Sequence, residues 1–534
     1  MQTDYNVIVA GYGPVGACAA NLLGYYNINS LIIDKEKEIY TLPRAITWDD
    51  ECRRIIVPCN FADKIEIRKI RGLDHINGKG ESFLKIRMAD EDKYEYQVGP
   101  TFMYQPEFEK AFRDNAETYD TNHFKLGFEV LSYEEIDECI RVEIKNLDTN
   151  TIEHVTTKYL IGADGANSII RKKMGVKYKS FKYDEPWMCV DGFSDQDLEC
   201  FTDVDAFQIC DPKRSLTIIN SVNNKFRFEI MIMPEDDLNE IQKEEVFYPF
   251  IAKYLKNRKF TFTRKAIYTF HSTSVNSWKK NNIFLVGDAA HQMPPFMGQG
   301  MNSGMRDVEN LLWKLSGVIS KKYNPNILSS YEPERKYHAE KIIKASITMG
   351  NIIMTPSPLK AFFRDIGIKI KSLTKKGKQS FYPGYSGIRL GDGLHNHPLE
   401  RSHIFRYYFP AISLGNDKNK TTDDLLQKNF GLILNNFNKD TSISENNCNI
   451  LNKIDFRILN CSDSLLKSNY SKFECFQSNG KDLDTYFSHF ECNAVLIRPD
   501  KYVFDIIHFN EEDSLDQIIS NVISMLEDKK TIMI

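Results

Sequence analysis

Three glycines, Gly11, Gly13 and Gly16, follow the apolar run Val7 to Ala10 and precede small and apolar residues at helical spacing. That order predicts a strand, a tight turn and a helix whose free N–H groups face an anion. Gly13 has no side chain to keep a pyrophosphate off the backbone. Pro14 and Val15 open the helix, and Gly16 with Ala17 and Ala20 lets it lie close to the sheet. A second strand, Ser30 to Ile33, ends at Asp34, 23 positions after Gly11. A carboxylate there accepts hydrogen bonds from an adenosine ribose, and Lys35 follows it. These residues predict a dinucleotide site.

Two more glycine turns follow strand-like runs. In "YLIGADGANSIIRKKMG" (159–175) a strand leads to Asp164 and Gly165, then to a basic helix. In "NNIFLVGDAAHQMPPFMGQGMNSGMRD" (281–307) a strand meets Gly287 and Asp288. A carboxylate beside a glycine at the mouth of a sheet is placed to bind a polyol. Beyond it come Pro295, Gly298 and Gly300, and the amides of Met301 and Asn302 open a helix whose N-terminus carries partial positive charge. A merely flexible glycine loop does not explain two prolines stiffening its start. The chain has one complete three-glycine fingerprint.

These turns, in this order, with "LPRAITWDDE", "QICDPKR", "YTFHS" and "SYEPER", resemble the FAD-dependent aromatic hydroxylases of the p-hydroxybenzoate hydroxylase class. Within that class the chain is most similar to the 3-(3-hydroxyphenyl)propionate hydroxylase branch, over roughly residues 4–350. The resemblance implies FAD on the first turn, Asp34 on the adenosine ribose and Arg44 on the phosphates. It places Gln105 and the Asp164–Gly165 pair at the flavin and Asp288 on a ribitol hydroxyl. It also implies NADH or NADPH and dioxygen as co-substrates, with a flavin C4a-hydroperoxide hydroxylating a phenolic ring. An oxidase or epoxidase of the same fold acting on a polyketide-like substrate stays open, as does a non-catalytic flavin-binding protein.

Ring hydroxylation favours the phenolate, so a base or hydrogen-bond chain is expected beside the phenol. His271, Tyr268, Asp49 and Tyr104 are the candidates, and each has an equally open structural role. Arg227 is a candidate anchor for an acidic substrate group, with an outward-facing surface arginine as the favoured alternative.

The elements that must hold these residues make an α/β chain. A Rossmann-type FAD-binding domain interleaves with a mixed-sheet substrate domain over residues 1–385, the latter mainly at 76–100 and 181–280. A thioredoxin-like domain is expected at 386–534, because "AVLIRPDKYVFDI" (494–506) resembles the one attached to phenol hydroxylase relatives. It has no C-x-x-C pair, so no dithiol chemistry is expected. "KFRFEIMIMP" (225–234) alternates Phe226, Phe228, Ile230 and Ile232 against Arg227 and Glu229, which predicts a half-buried strand. The helix after Gly300 is predicted to bury Met305, Val308, Leu312 and Leu315. Residues 341–370 have an amphipathic pattern interrupted by Pro356 and Pro358, and core packing is expected there rather than a membrane surface. Residues 372–400 have the composition of a linker. His395 and His397 within it lack a third ligand and read as loop histidines, so no metal is expected.

A length of 534 residues predicts two or three domains. Hydrophobic content of 42% and charged content of 27% are those of a soluble globular protein. The balance of 69 basic against 73 acidic residues gives no reason to expect nucleic acid. No apolar run reaches the roughly 18–20 residues of a membrane span. No signal peptide is evident, and 11 scattered cysteines read as reduced thiols, so a cytoplasmic location is expected. A homodimer stays open.

Overall fold

The computed structural model describes residues 3–41, 44–87, 99–194, 203–255, 259–374, 390–394, 408–415, 417–462, 466–477, 481–510, 512–529 and 531–532. Val7, Ile8 and Val9 are fully buried because their sheet is covered on both faces, which is why the run is continuously apolar. The parallel strands lie in the order Asn122–Leu126, Ser30–Asp34, Tyr5–Ala10, Ile152–Gly162 and Ile283–Leu285. This is a doubly wound arrangement, and its crevice opens at the carboxyl ends of the strands, beside Tyr5–Ala10. Around it run α1 (Pro14–Tyr25), α2 (Asp50–Ile56), α3 (Gln105–Ala116) and α4 (Ile169–Met174).

The second sheet is mixed, in the order His291–Gln292, Thr261–Val275, Tyr178–Phe193, Lys225–Met231, Leu216–Asn220, Ala206–Ile209, Gly72–Ile76 and Ser82–Arg87. Helix α5 (Glu244–Leu255) covers one face, packing Phe247, Ile251 and Leu255 on Phe226, Phe228 and Ile230. The other face turns toward the first layer, where Arg227 Nη1 donates to the Arg44 carbonyl at 2.7 Å. Arg227 and Glu229 are therefore only 2% and 9% exposed. The half-buried expectation for this strand is corrected: a second domain covers the face that the alternation would leave to water.

Helix α6 (Gly300–Ile319) buries the predicted Met305, Val308, Leu312 and Leu315, but also Arg306, Asp307, Glu309, Asn310 and Lys314. Arg306 pairs with Asp49 and Glu51, Asp307 with His291 and Arg335, and Lys314 with Glu334, while Glu309 and Asn310 are met by the C-terminal unit. Its sheet runs Phe473–Phe476, Arg457–Cys461, Gly431–Asn435, Ala494–Ile497 and Val503–Ile507. Gly431–Asn435 is parallel to Arg457–Cys461 and antiparallel to Ala494–Ile497. With helices Glu445–Lys453, Lys481–Phe490 and Leu515–Asp528, the chain order of this core is β-α-β-α-β-β-α, with the edge strand Phe473–Phe476 added. The unit supplies the missing counter-charges. Lys428 bonds Glu309, Arg498 bonds Glu334 at 2.8 Å, and Asp423 bonds Arg54 at 2.6 Å.

Helix α7 (Tyr331–Ile353) packs into the body through Ile342, Ile343, Met349 and Ile353. Helix α8 (Pro358–Lys371) does not: Leu359, Phe362, Phe363, Ile366 and Ile370 face solvent. The core-packing expectation fails there because α8 buries only Ala361 and Ile368, one narrow side. Of the linker-like stretch, Leu390 and Leu394 are buried, and the Gly391 amide donates to the Glu334 carbonyl at 3.0 Å. His395, His397 and the expected domain boundary at 385/386 lie outside the described residues.

Candidate cofactor and substrate site

The first turn separates its three glycines by job. Gly11 sits at φ +105°, and a Cβ there would lie 2.3 Å from the Ala163 carbonyl oxygen. A Cβ on Gly16 would lie 2.0 Å from the Gly11 oxygen. Gly13 has an ordinary φ of −68°, and a Cβ there would meet no atom within 4 Å. The chain itself fills the space beside Gly11 and Gly16, while the space over Gly13 is open to a ligand. No side chain caps α1, whose first intrahelical bond runs from Ala17 N to Gly13 O at 2.8 Å. The amides of Val15 and Gly16 precede it and face that space. The Asp34 carboxylate, at the end of its strand, accepts from the amides of Tyr12 and Glu36. Lys35 points into solvent, 4.0 Å from Glu36.

Arg44 rides on a loop pinned from three sides. Gln105 Oε1 accepts from the amides of Arg44 and Ala45 at 2.6 and 2.7 Å, and Arg227 holds the Arg44 carbonyl. Gln105 is thereby a positioning residue for this loop. The Arg44 guanidinium is exposed and stands 5.2 Å from the Tyr40 ring centre.

Asp164 turns Oδ2 to the amides of Ile169 and Ile170 at 2.7 and 3.1 Å. Its Oδ1 is buried and has no partner among the described residues. Burial raises its pKa, and the Ser168 hydroxyl and those amides pull it back. A lone buried acceptor of this kind awaits a donor. Gly165, at φ +71°, leaves open space beside it.

Gly287, at φ +59°, donates its amide to Asp307 Oδ2 at 3.1 Å. Asp307 is also bonded by His291 at 2.7 Å and Arg335 at 2.9 Å, all three fully buried. This cluster fixes the turn that presents Asp288. The Asp288 side chain is exposed to the crevice yet ringed by protein, so burial pushes its pKa up while His291 and Arg44 oppose the rise.

The turn Pro295–Met297 leads to Gly298, at φ +63°, where a Cβ would lie 2.1 Å from Thr47 Oγ1. Thr47 Oγ1 and Asn302 Nδ2 both donate to the Gly298 carbonyl, at 2.9 and 2.8 Å. The first intrahelical bond of α6 runs from Ser303 N to Gln299 O at 2.8 Å. The amides of Gly300, Met301 and Asn302 come before it, and Gly300 has open space around it.

The four candidate bases divide. Asp49 is corrected to a structural role: it is 4% exposed, caps α2 at Cys52 N and pairs with Arg306 at 2.6 Å and Gln299 at 3.0 Å. His271 is corrected to the surface, where its Nδ1 lies 2.6 Å from Asp184 and half of each side chain is in water. Strand alternation turns its neighbours Tyr268 and Phe270 to the opposite, inward face. Tyr104 immediately precedes α3, and the Lys225 ammonium stands over it, 3.9 Å from its ring centre. It lines a cleft with Ala45, Ile46, Asp191 and Arg227. Tyr268 accepts from Arg264, whose Nη1 bonds Asp191 at 2.9 Å, and burial raises its pKa. Arg227 is not on the surface: Asp191 holds its Nε at 2.7 Å.

Two residues escape sequence reasoning. Trp187, 1% exposed, pairs across the sheet with Tyr268 and meets Phe296 of the proline–glycine loop edge-on, with ring centres 5.6 Å apart. Its indole N–H has no partner among the described residues. Glu229 is a buried carboxyl on the same face, its pKa raised by burial and opposed first by Arg227. Only the strand register brings these residues to the site, and no local pattern signals it.

Residues 4–346 match the family described as FAD binding domain, and the chain belongs to that family. It is 32% identical over 363 residues to a 3-(3-hydroxy-phenyl)propionate/3-hydroxycinnamic acid hydroxylase of Burkholderia cenocepacia, covering 67% of this chain and 66% of that protein. The match thus spans just under two thirds of that relative. A probable NADH-specific resorcinol 4-hydroxylase of Rhodococcus jostii is 30% identical over 387 residues, 72% of each chain. Among solved structures, aklavinone-11 hydroxylase with FAD and aklavinone superposes with a TM-score of 0.79 at 17% identity, covering 99% of this chain and 100% of that one.

The residues present fit FAD: an open space over Gly13, an Asp164 oxygen without a partner among the described residues and an accessible Asp288 carboxylate follow the ends of neighbouring strands. Asp288→Ala is expected to purify with little FAD, since a hydrogen bond to a charged group contributes about 1.5–3 kcal/mol. The flavin absorbance of the purified protein checks it; a variant as yellow as the parent removes Asp288 from the site.

Proposed function

We propose that the chain is a monooxygenase that uses FAD, NADH or NADPH, and dioxygen to hydroxylate a phenolic ring. The observation that carries this reading is the loop before α6. Pro295–Met297 leads to the free amides of α6 on the cofactor side, while its Phe296 meets Trp187, the strand partner of Tyr268, on the aromatic side. When bound, FAD supplies the electron transfer and the oxygen chemistry.

The chain's own residues then have separable tasks. Asp288 accepts from the ribityl chain, and Asp164 Oδ1 accepts one further cofactor donor. The leading amides of α6 would stabilise negative charge on a bound flavin, by about 0.3–2 kcal/mol. Trp187 and Phe296 wall the aromatic side and exclude water. Tyr268 takes a hydrogen bond from Arg264, which leaves its own O–H free to donate to a phenol oxygen. The named relatives act on hydroxyphenyl propionate, hydroxycinnamate and resorcinol, which supports a phenolic substrate. The β-α-β-α-β-β-α order supports reading the C-terminal unit as thioredoxin-like, and the free cysteines among the described residues support a cytoplasmic setting.

The test is NADH and NADPH consumption by the purified holoprotein against a panel of phenolic acids and resorcinols, under isotopically labelled dioxygen. A phenol is expected to accelerate consumption and to acquire one labelled oxygen. Tyr268→Phe is expected to lower kcat by about 10²-fold or more with FAD content unchanged. Consumption that yields only hydrogen peroxide across the panel would favour an oxidase, and no consumption a non-catalytic protein.

A further inference from the structure

We infer that α8 rests its outer face in the headgroup layer of an anionic membrane surface. Leu359, Phe362, Phe363, Ile366, Ile370 and the adjoining Leu373 are 41–82% exposed. At 3.6 residues per turn they fall within an arc of about 100°. Ala361 and Ile368, the buried residues of α8, lie diametrically opposite. The helix is thus seated by one narrow side and presents its apolar stripe straight outward.

The stripe offers on the order of 700 Å² of surface, more than the largest patch of a typical monomer. Helix α8 is also fastened rather than loose. Arg364 is nearly buried, pairs with Asp365, and donates to the carbonyls of Ile352 at 2.9 Å and Cys210 at 3.0 Å.

Charge decides the occupant. With Arg364 and Asp365 turned to each other, the exposed charges of α8 are Lys360, Lys369 and Lys371. Lys360 and Lys371 border the stripe on one side and Lys369 on the other, so their stems can lie along apolar surface while the ammonium groups reach outward. The chain as a whole carries −4, so this is a local cationic face. A second copy packed stripe on stripe would set these lysines against one another, while the nearby carboxylates are already engaged, Asp365 with Arg364 and Glu81 with Asn77 and Lys369. Anionic headgroups supply that complement, with the apolar stripe entering the acyl boundary. No helix among the described residues is long and apolar enough to cross a membrane, so α8 would lie in the plane.

The experiment is co-sedimentation of the FAD-loaded full chain with phosphatidylcholine vesicles, with and without phosphatidylglycerol, at low and high salt. Binding is expected only with phosphatidylglycerol and is expected to weaken with salt. Phe363→Ser should weaken it about tenfold or more. Lys360→Gln and Lys369→Gln should each weaken it about fivefold. All three sites are exposed, so FAD content should match the parent and report intact folding. No binding to either vesicle overturns the inference, as does equal binding to both. A dimer in light scattering that Phe363→Ser converts to monomer would also overturn it, giving the stripe to a second copy.

Discussion

Gly13→Ala is expected to fold as stably as the parent while losing most of its FAD. The backbone at Gly13 is ordinary, with φ −68°, and nothing stands within 4 Å of where the methyl would go. The apo-protein therefore has no reason to resist the change. A pyrophosphate drawn against the turn does, because the methyl occupies the space the phosphate needs. Intrusion of one methyl group into a close contact costs about 1–3 kcal/mol, or roughly five- to 150-fold in affinity. Gly16→Ala and Gly11→Ala should behave in the opposite way. Their new carbons would press on backbone at 2.0 and 2.3 Å, and Gly11 adds the strain of φ +105°. Both should lose folding stability before any cofactor is added. Urea unfolding of the apo-proteins and FAD titration of each variant separate the two effects. Unchanged FAD affinity in Gly13→Ala would move the pyrophosphate away from this turn.

This contrast also shows what was legible in the sequence. The glycine turns and the carboxylates Asp34, Asp164 and Asp288 are set by local geometry: a strand end, a positive φ, a helix start. Residues a few positions apart determine them, so the pattern is visible in the linear chain. Arg227 and Glu229 were not legible, because alternation separates two faces without saying what covers the second. His271 and Tyr268 lie on one strand three residues apart, so they point to opposite faces, and only the pairing of Tyr268 with Trp187 tells which face is inward. Helix α6 is legible only in part for the same reason. Its apolar positions are visible in the chain, but Lys428 and Asp500, the partners of Glu309 and Asn310, lie more than 100 residues away. Helix α8 errs the other way, since periodicity locates an apolar stripe but not the medium it faces.

Glu334→Ala should be the most destabilising single change at the seam between α7 and the C-terminal unit. Its fully buried carboxylate accepts from Arg498 Nη1 and Nη2 at 2.9 and 2.8 Å, from Lys314 at 2.8 Å, from Asn310 at 2.8 Å and from the Leu394 amide at 2.7 Å. Burial pushes the Lys314 ammonium down to about 8, and Glu334 is the first group opposing that fall. Without it, Lys314 is left among neutral groups and Arg498, with Asp500 alone to balance both cations. Breaking one side of a buried ion pair costs about 3–5 kcal/mol, a large part of the 5–15 kcal/mol that stabilises an ordinary protein. Glu334→Gln keeps the shape, but its NH2 replaces one accepting oxygen, so it removes the charge together with the acceptor for at least two of the five donors. The pH dependence has a definite sign. Arg498 and Lys314 hold the Glu334 carboxyl well below its ordinary value of 4.5. Its contribution is therefore fully present above about pH 4.5 and is lost as the pH falls below that, where the unfolded chain takes up the proton first. The Glu334 contribution to the stability gap between the parent and Glu334→Gln, read from urea midpoints, should fade as the pH drops below about 4.5. A chain ending near residue 374 would keep every cofactor residue named above yet leave Glu309, Glu334 and Arg54 without Lys428, Arg498 and Asp423. It is expected to lose FAD through unfolding rather than through any change in the crevice. A Glu334→Gln variant within about 1 kcal/mol of the parent, well short of the cost of a broken buried pair, would show that apolar contact rather than this charge cluster joins the domains.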